Sequence, residues 1–438
     1  MKYLEQVRAS QSTPQALESL FRAAEREQGT SEFRVDIAAA YAATPGNVLL
    51  EAWHLRLADG SDVADDRSRV NWRSVLPFSL ITSLVLWLLS GPQFVFRDAS
   101  GHTELYLQLL LTPVIALVAL GFITTARRTL KEHSAPRALA LAAALAVITG
   151  VAFSRAVGDA DYRLLAAGHL PLLAWAVVGL CLMGAAATAR DRFAFLAKSI
   201  EVVVVTGLYA GAALAFGAIT TGLFKTLGIT LSETVVRLLI VGGAGLMPMV
   251  AVASVYDPRL APSAQDFRRG LSKMVTTLPR LLVVPTLVVL AVYVALIPAH
   301  VMQPFLDRTS LLTYNAMLFA VTALLIGATP VHVDDLSSDH QRWLQRGIVA
   351  IATLMLIVAL YALAAVLYRT AHDRLTINRL TVIGWNVIHI GVLGGLLDRQ
   401  RRRGHEGWVA SLHASFSEAS VAFAAWGACV VVLLPWVV

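Results

Sequence analysis

From about residue 74 to its last residue the chain is a series of apolar stretches, eleven of them long enough to cross a bilayer. A helix needs about 20 apolar residues to cross a hydrocarbon core roughly 30 Å thick. Only a helix satisfies its own backbone there one segment at a time. These facts predict an all-α fold, a polytopic helical membrane bundle, with spans near 74–96, 105–126, 138–154, 164–188, 202–224, 238–256, 281–305, 311–331, 347–368, 380–397 and 420–438. The composition agrees, at 57% hydrophobic and 15% charged, where a soluble domain carries about 25% charged residues.

Residues 1–73 differ in character and are read as a separate cytoplasmic head and linker, with 74–438 as the transmembrane domain. Three short amphipathic helices are expected in 12–57. Thr13 caps the first, with Pro14 at its first position, and Leu17, Leu20, Phe21 and Ala24 form its stripe. The second begins near Ser31 and stops at Pro45-Gly46. The third has Asn47 as its cap and turns Leu50, Trp53, His54 and Leu57 inward. Such paired helices look like a fragment of a helical-repeat array, and they suit either a protein-partner site or a small structural cap. With no cleavable leader in this polar start, the first span is expected to act as the insertion signal.

The net charge of +7 is unevenly placed. Alternate short loops carry 18 Lys or Arg, and the intervening loops carry 9. This bias predicts a cytoplasmic N-terminus, an outward C-terminus and contact with anionic lipid headgroups at the cytoplasmic face. The charge therefore points to the lipid bilayer and not to nucleic acid. Two basic segments, 263–278 and 407–419, are expected to lie as amphipathic helices in the interface, the first capped by Ser263 and Asp266. Gly207 with Gly211 and Gly391 with Gly395 have the spacing of close helix packing. Gly242, Gly243 and Gly245 before Pro248 predict a kinked or broken sixth span.

Catalytic motifs of the P-loop, zinc-protease, serine-hydrolase and dinucleotide kinds are absent, so no catalytic, cofactor or metal residue is assigned. His332, Asp334, Asp335, Asp339 and His340 are the most metal-like group, but their spacing matches no named site and reads as a solvated loop. Cys181 and Cys429 sit in apolar spans and read as unpaired, inert thiols. No carboxylate falls in the middle of a span; the polar residues within spans are His169, Asn315, Asn386 and His389. Arg379, Asn386 and His389 are seven and three residues apart, hence on one face of the tenth span. Asn315 of the eighth span is expected to meet Arg379. This stripe is the candidate functional site, because ionisable groups at membrane depth are costly.

One stretch has a family likeness. Tyr368-Arg369, then Arg374-Leu375-Thr376-Ile377-Asn378-Arg379 and Thr381-Val382-Ile383-Gly384-Trp385-Asn386, resembles the Leu-Thr-Ile-Asn-Arg signature of a bacterial membrane family catalogued as domain of unknown function 4153. The last span, Ala425-Trp426 through Leu434-Pro435-Trp436, is similar to that family's final span. The resemblance implies a multi-pass protein of the bacterial inner membrane and carries no activity with it. The residues themselves leave three classes open: a non-catalytic scaffold, sensor or assembly factor; a transporter or channel-like protein for a small solute or lipid; and, third, an intramembrane enzyme.

Overall fold

In the computed structural model the described residues are 3–26, 29–59, 72–94, 96–98, 101–103, 105–128, 134–184, 187–267, 270–306, 308–332, 336–404 and 407–436. They form two units, Met1–Asn71 and Trp72–Val438. The polar linker expected after residue 58 falls mostly outside the described residues, as do Lys131, Asp334 and Asp335.

Among its described residues the first unit holds four helices: α1 (Leu4–Ala9), α2 (Pro14–Arg26), α3 (Thr30–Ala43) and α4 (Val48–Asp59). The sequence pattern reveals three of them. At six residues α1 is too short to show a period, yet its Val7 is fully buried. Asn47 caps α4, its Oδ1 accepting from the Leu49 and Leu50 N–H groups at 3.0 and 3.1 Å. Phe33 and Trp53 meet edge to face, with Phe21 tilted against both, around Leu17, Ile37 and Leu50, giving the head its own core.

The second unit is a helical bundle. Its helices are α5 (Trp72–Leu89), α6 (Leu105–Arg128), α7 (Ser134–Ala156), α8 (Ala160–Met183), α9 (Ala189–Thr226), α10 (Glu233–Val255), α11 (Gly270–Leu296), α12 (Arg308–Ala328), α13 (Ser338–His372), α14 (Ile377–Arg403) and α15 (Trp408–Ala428). Ten of these are long and apolar enough to cross a membrane, and α12 adds a shorter apolar stretch, Thr313–Ala328. Among the described residues the strands are a small hairpin, where β1 (Phe96–Asp98) pairs antiparallel with β2 (Gly101–Thr103), Phe96 opposite Thr103. Leu164, Val203 and Leu281 stand 76%, 70% and 67% exposed, which water would penalise and lipid does not.

The helix ends follow local chemistry more than hydropathy. Thr188 caps α9 through the Asp191 N–H at 3.1 Å, so α9 starts well before the apolar run at 202. Asp159, Ser232 and Thr376 cap α8, α10 and α14 in the same way. Neither interfacial helix exists as a separate element. The first segment is a short 3-10 turn, Pro262–Ala264, followed by α11, whose helix runs on from Gly270 into the seventh span. Ser263 bonds Asp191 instead of capping. The second segment is the start of α15, with Trp408, Leu412 and Phe416 buried in the largest core cluster.

The sixth span carries a π turn at Leu238–Gly242 and is not broken; a regular helix follows directly from Gly243. Ser83 of α5 donates to the Gly242 carbonyl at 2.8 Å. The last span repeats the device. It has a π turn at Cys429–Leu433, and the Tyr162 hydroxyl of α8 donates to the Val431 carbonyl at 2.7 Å. The glycine pairs Gly207/Gly211 and Gly391/Gly395 touch no neighbouring helix, because a Cβ at any of the four meets nothing within 4 Å. Close approach uses other glycines: Gly245 lies against the Ser83 backbone, Gly179 against Phe195, and Gly384 beneath the Trp426 ring.

Bonds between loops define two faces. Arg127, in the last turn of α6, donates to the Pro258 carbonyl after α10. Asp191, in the first turn of α9, accepts from Ser263, and Arg190 beside it joins His332 after α12 at 2.8 Å. Arg192 reaches Ser417 on α15, whose His413 bonds the Pro330 carbonyl at 2.9 Å. The five alternate loops that together carry 18 Lys or Arg thus lie on one face. On the opposite face Arg155 stacks on Trp436, Tyr361 donates to the Val301 carbonyl, and Arg237 lies over Trp87.

Candidate functional site

The face of α14 predicted to be functional separates into two places. Arg379 belongs to the corner between α13 and α14. Its guanidinium donates to the Arg369 and Arg374 carbonyls at 3.2 and 2.8 Å and pairs with Asp373 at 2.6 Å. This contact holds the Asp373 carboxyl below its ordinary range. Thr376 caps α14 through the Arg379 N–H at 3.3 Å. The Leu375–Arg379 segment is therefore a corner in which one residue starts the new helix and another satisfies the last carbonyls of the old one. Arg379 does not meet Asn315; its donors are used where the chain turns.

Asn315 instead meets Asn386. The Asn386 amide Nδ2 donates to Asn315 Oδ1 at 3.3 Å and to the Val382 carbonyl, one turn back, at 2.9 Å. A carbonyl only accepts, so the second bond fixes which end of the amide is nitrogen. The same logic fixes His389. Its Nδ1 lies 2.8 Å from the Trp385 carbonyl and must carry the proton, which makes Nε2 an acceptor. His169 on α8 is oriented alike: Nδ1 bonds the Leu165 carbonyl at 2.7 Å, and Nε2 accepts from the Trp385 indole at 3.0 Å. Asn386 and His389 are both fully buried, yet among the described residues Asn386 Oδ1 and His389 Nε2 have no partner. Phe319, Trp385 and Phe423 surround the His389 ring with centroids 4.8, 6.3 and 5.1 Å away.

A second polar group was not apparent in the sequence. Lys198 and Glu201 are three residues apart on α9, side chains 2% and 3% exposed, with Nζ and Oε2 2.7 Å apart. Ser272 of α11 closes the triangle: Lys198 donates to its Oγ at 3.1 Å, and it donates to Glu201 Oε1 at 2.5 Å. Lys198 Nζ also lies 4.8 Å from the Phe267 ring centre. Glu201 borders the span expected at 202–224 and lies within α9, its side chain buried in the bundle. The clue was an oppositely charged pair at helical spacing next to an apolar run.

The metal-like group does not converge among the described residues. His332 is held by Arg190, His340 bonds Ser337 at 2.6 Å, and Asp339 pairs with Arg342 at 2.6 Å. Cys181 is buried and Cys429 partly so, both unpaired. In the head, a groove of about 510 Å³ is lined by Pro14, Gln15, Glu18, Arg22, Trp53 and Arg56. Arg56 stacks on Trp53, 4.4 Å from its centroid, and shares Glu18 with Arg22. Comparison with family models, curated proteins and solved structures finds no match to this chain.

Proposed function

We propose that this integral membrane protein is a non-catalytic scaffold or sensor whose head binds a partner protein. One observation carries the reading. The head completes its own aromatic core and still turns apolar side chains outward, Val48 at 77% and Leu55 at 59% exposure, on the helix that lines the Trp53–Arg56 groove. A stacked helix pair that ends in an apolar face is what a helical-repeat partner extends. In the same reading the basic loops face the cytoplasm and its anionic lipids, and the protein sits in a bacterial inner membrane as a member of the Leu-Thr-Ile-Asn-Arg family. The capped corner at Thr376 and Arg379 supports that membership by giving the signature a structural task.

The test places a photo-crosslinking residue at Leu55 in the full chain, in cells. A discrete protein adduct that disappears when Val48→Glu is added supports the reading. Irradiation that yields only the uncrosslinked chain or lipid adducts contradicts it. Transport is the second reading, favoured by the bare acceptors Asn386 Oδ1 and His389 Nε2 within a span.

A further inference from the structure

Given that the head binds a partner protein, as proposed above, we infer that the groove between α2 and α4 takes an acidic side chain of that partner, an Asp or Glu carried beside an apolar residue. Pro14, Gln15, Glu18, Ser19 and Arg22 recur at helical spacing along one face of α2, and Trp53 and Arg56 of α4 form the other wall. From Pro14 to Arg22 this face runs about 12 Å, the reach of about four extended residues. Arg56 is the group poised for a ligand. Its guanidinium lies over the Trp53 ring, 4.4 Å from the centroid, and 5.5 Å from that of Phe21, which holds it in place. Nη1 donates to Glu18 Oε2 at 3.0 Å. Nε and Nη2 make no hydrogen bond among the described residues, and the side chain is half-exposed in the groove. Two adjacent guanidinium donors match the two oxygens of a carboxylate.

Charge selects the guest. The groove is lined by two guanidiniums, Arg22 and Arg56, against one carboxylate, Glu18, a net charge of +1. One further carboxylate brings it to neutrality, whereas a phosphate dianion would leave it negative beside Glu18. The head around the groove is acidic: residues 1–59 hold eight Asp and Glu against six Lys and Arg. An anionic membrane surface is therefore repelled by the head as a whole, while a single acidic side chain is drawn to this place. Val48 and Arg56 are eight residues apart on α4, and Leu55 precedes Arg56, so the exposed apolar pair borders the guanidinium. A segment with an apolar residue beside its acid meets both.

Photo-crosslinking residues are placed singly at Ser19 and Leu55 of the full chain in cells, and the linked partner peptides are sequenced by mass spectrometry. The expected result is one protein at both positions, with an Asp or Glu within about four residues of the site linked to Ser19, the length of the groove. Changing that acid to its amide in the partner should lower the Ser19 adduct about fivefold, the worth of a half-exposed ion pair. Glu18→Gln removes the competing carboxylate and should raise the adduct. Arg56→Glu should abolish it, and an acid-to-Arg change in the partner should restore it. A Ser19 adduct indifferent to the partner's acid overturns the proposal, as does a linked peptide without an acid; a Leu55 adduct that persists in either case leaves the partner-binding reading standing. Phosphatidylglycerol adducts at Ser19 in place of protein also overturn it. No protein adduct at either position removes both readings. If Arg56→Glu unfolds the head, the partner-side substitution, which leaves this chain untouched, still decides.

Discussion

Lys198, Glu201 and Ser272 join α9 to α11 through a closed triangle of charge and hydroxyl. Removing one member leaves a buried charge without its counter-charge, which costs about 3–5 kcal/mol. Glu201→Gln and Lys198→Met should each lower the melting temperature of the detergent-solubilised protein. The pair Lys198→Met with Glu201→Leu should lose less than the two single losses added, because no lone charge remains. Additive losses would show that the two side chains do not interact. In the head, Glu18 is held below its ordinary value of 4.5 by its bond to Arg56 and then by Arg22. A carboxylate with a lowered folded pKa contributes stability above its unfolded pKa and loses it as pH falls through the folded one. Head unfolding followed by Trp53 fluorescence should therefore become easier below about pH 4.5, and Glu18→Gln should flatten that acid limb. An unchanged limb would place the acid sensitivity elsewhere.

At the scale of the helix, two π turns each use a hydroxyl from another span to satisfy a displaced carbonyl: Ser83 to Gly242, and Tyr162 to Val431. In a bilayer no water replaces such a donor. Ser83→Ala and Tyr162→Phe should each destabilise by roughly 0.6 kcal/mol, with a ceiling near 1.7. Thermal melts in the same detergent measure this, and a stabilised Ser83→Ala would contradict the role given to the hydroxyl. The positions of the spans were legible in the sequence because lipid demands uninterrupted apolar runs. Their ends were not. Helix α9 starts at Ala189 because Thr188 caps it, and polar residues continue a helix as easily as apolar ones once hydrogen bonds are in place. The same cause hid the start of α11 and turned the segment at Trp408 from an interfacial helix into buried core. Asn315, Asn386 and His389 were visible as polar residues in apolar surroundings. That Asn315 would meet Asn386 and not Arg379 was not visible, since partners 71 residues apart depend on how the helices pack. Ser272 escaped notice because it is 71 residues from Glu201, in a stretch whose pattern reads as a basic amphipathic helix at the interface.

For the molecule as a whole, the uneven Lys and Arg loops and the bonds among them point to the same arrangement. The loops after α6, α8, α10, α12 and α14 share one face, tied by Arg127, Arg190, Asp191, Arg192 and His413. In the reading proposed above, this face looks into the cytoplasm while the corner at Leu375–Arg379 looks out. Replacing Cys181 and Cys429 by Ala provides a cysteine-free chain in which single cysteines report on sidedness. Four are placed: Ser19→Cys in the head, Ser337→Cys before α13, Ser232→Cys before α10 and Leu375→Cys before α14. A membrane-impermeant maleimide applied to intact cells should label Ser232→Cys and Leu375→Cys, and should label Ser19→Cys and Ser337→Cys only after permeabilisation. Labelling of Ser337→Cys in intact cells, or of Leu375→Cys only after permeabilisation, would contradict the account.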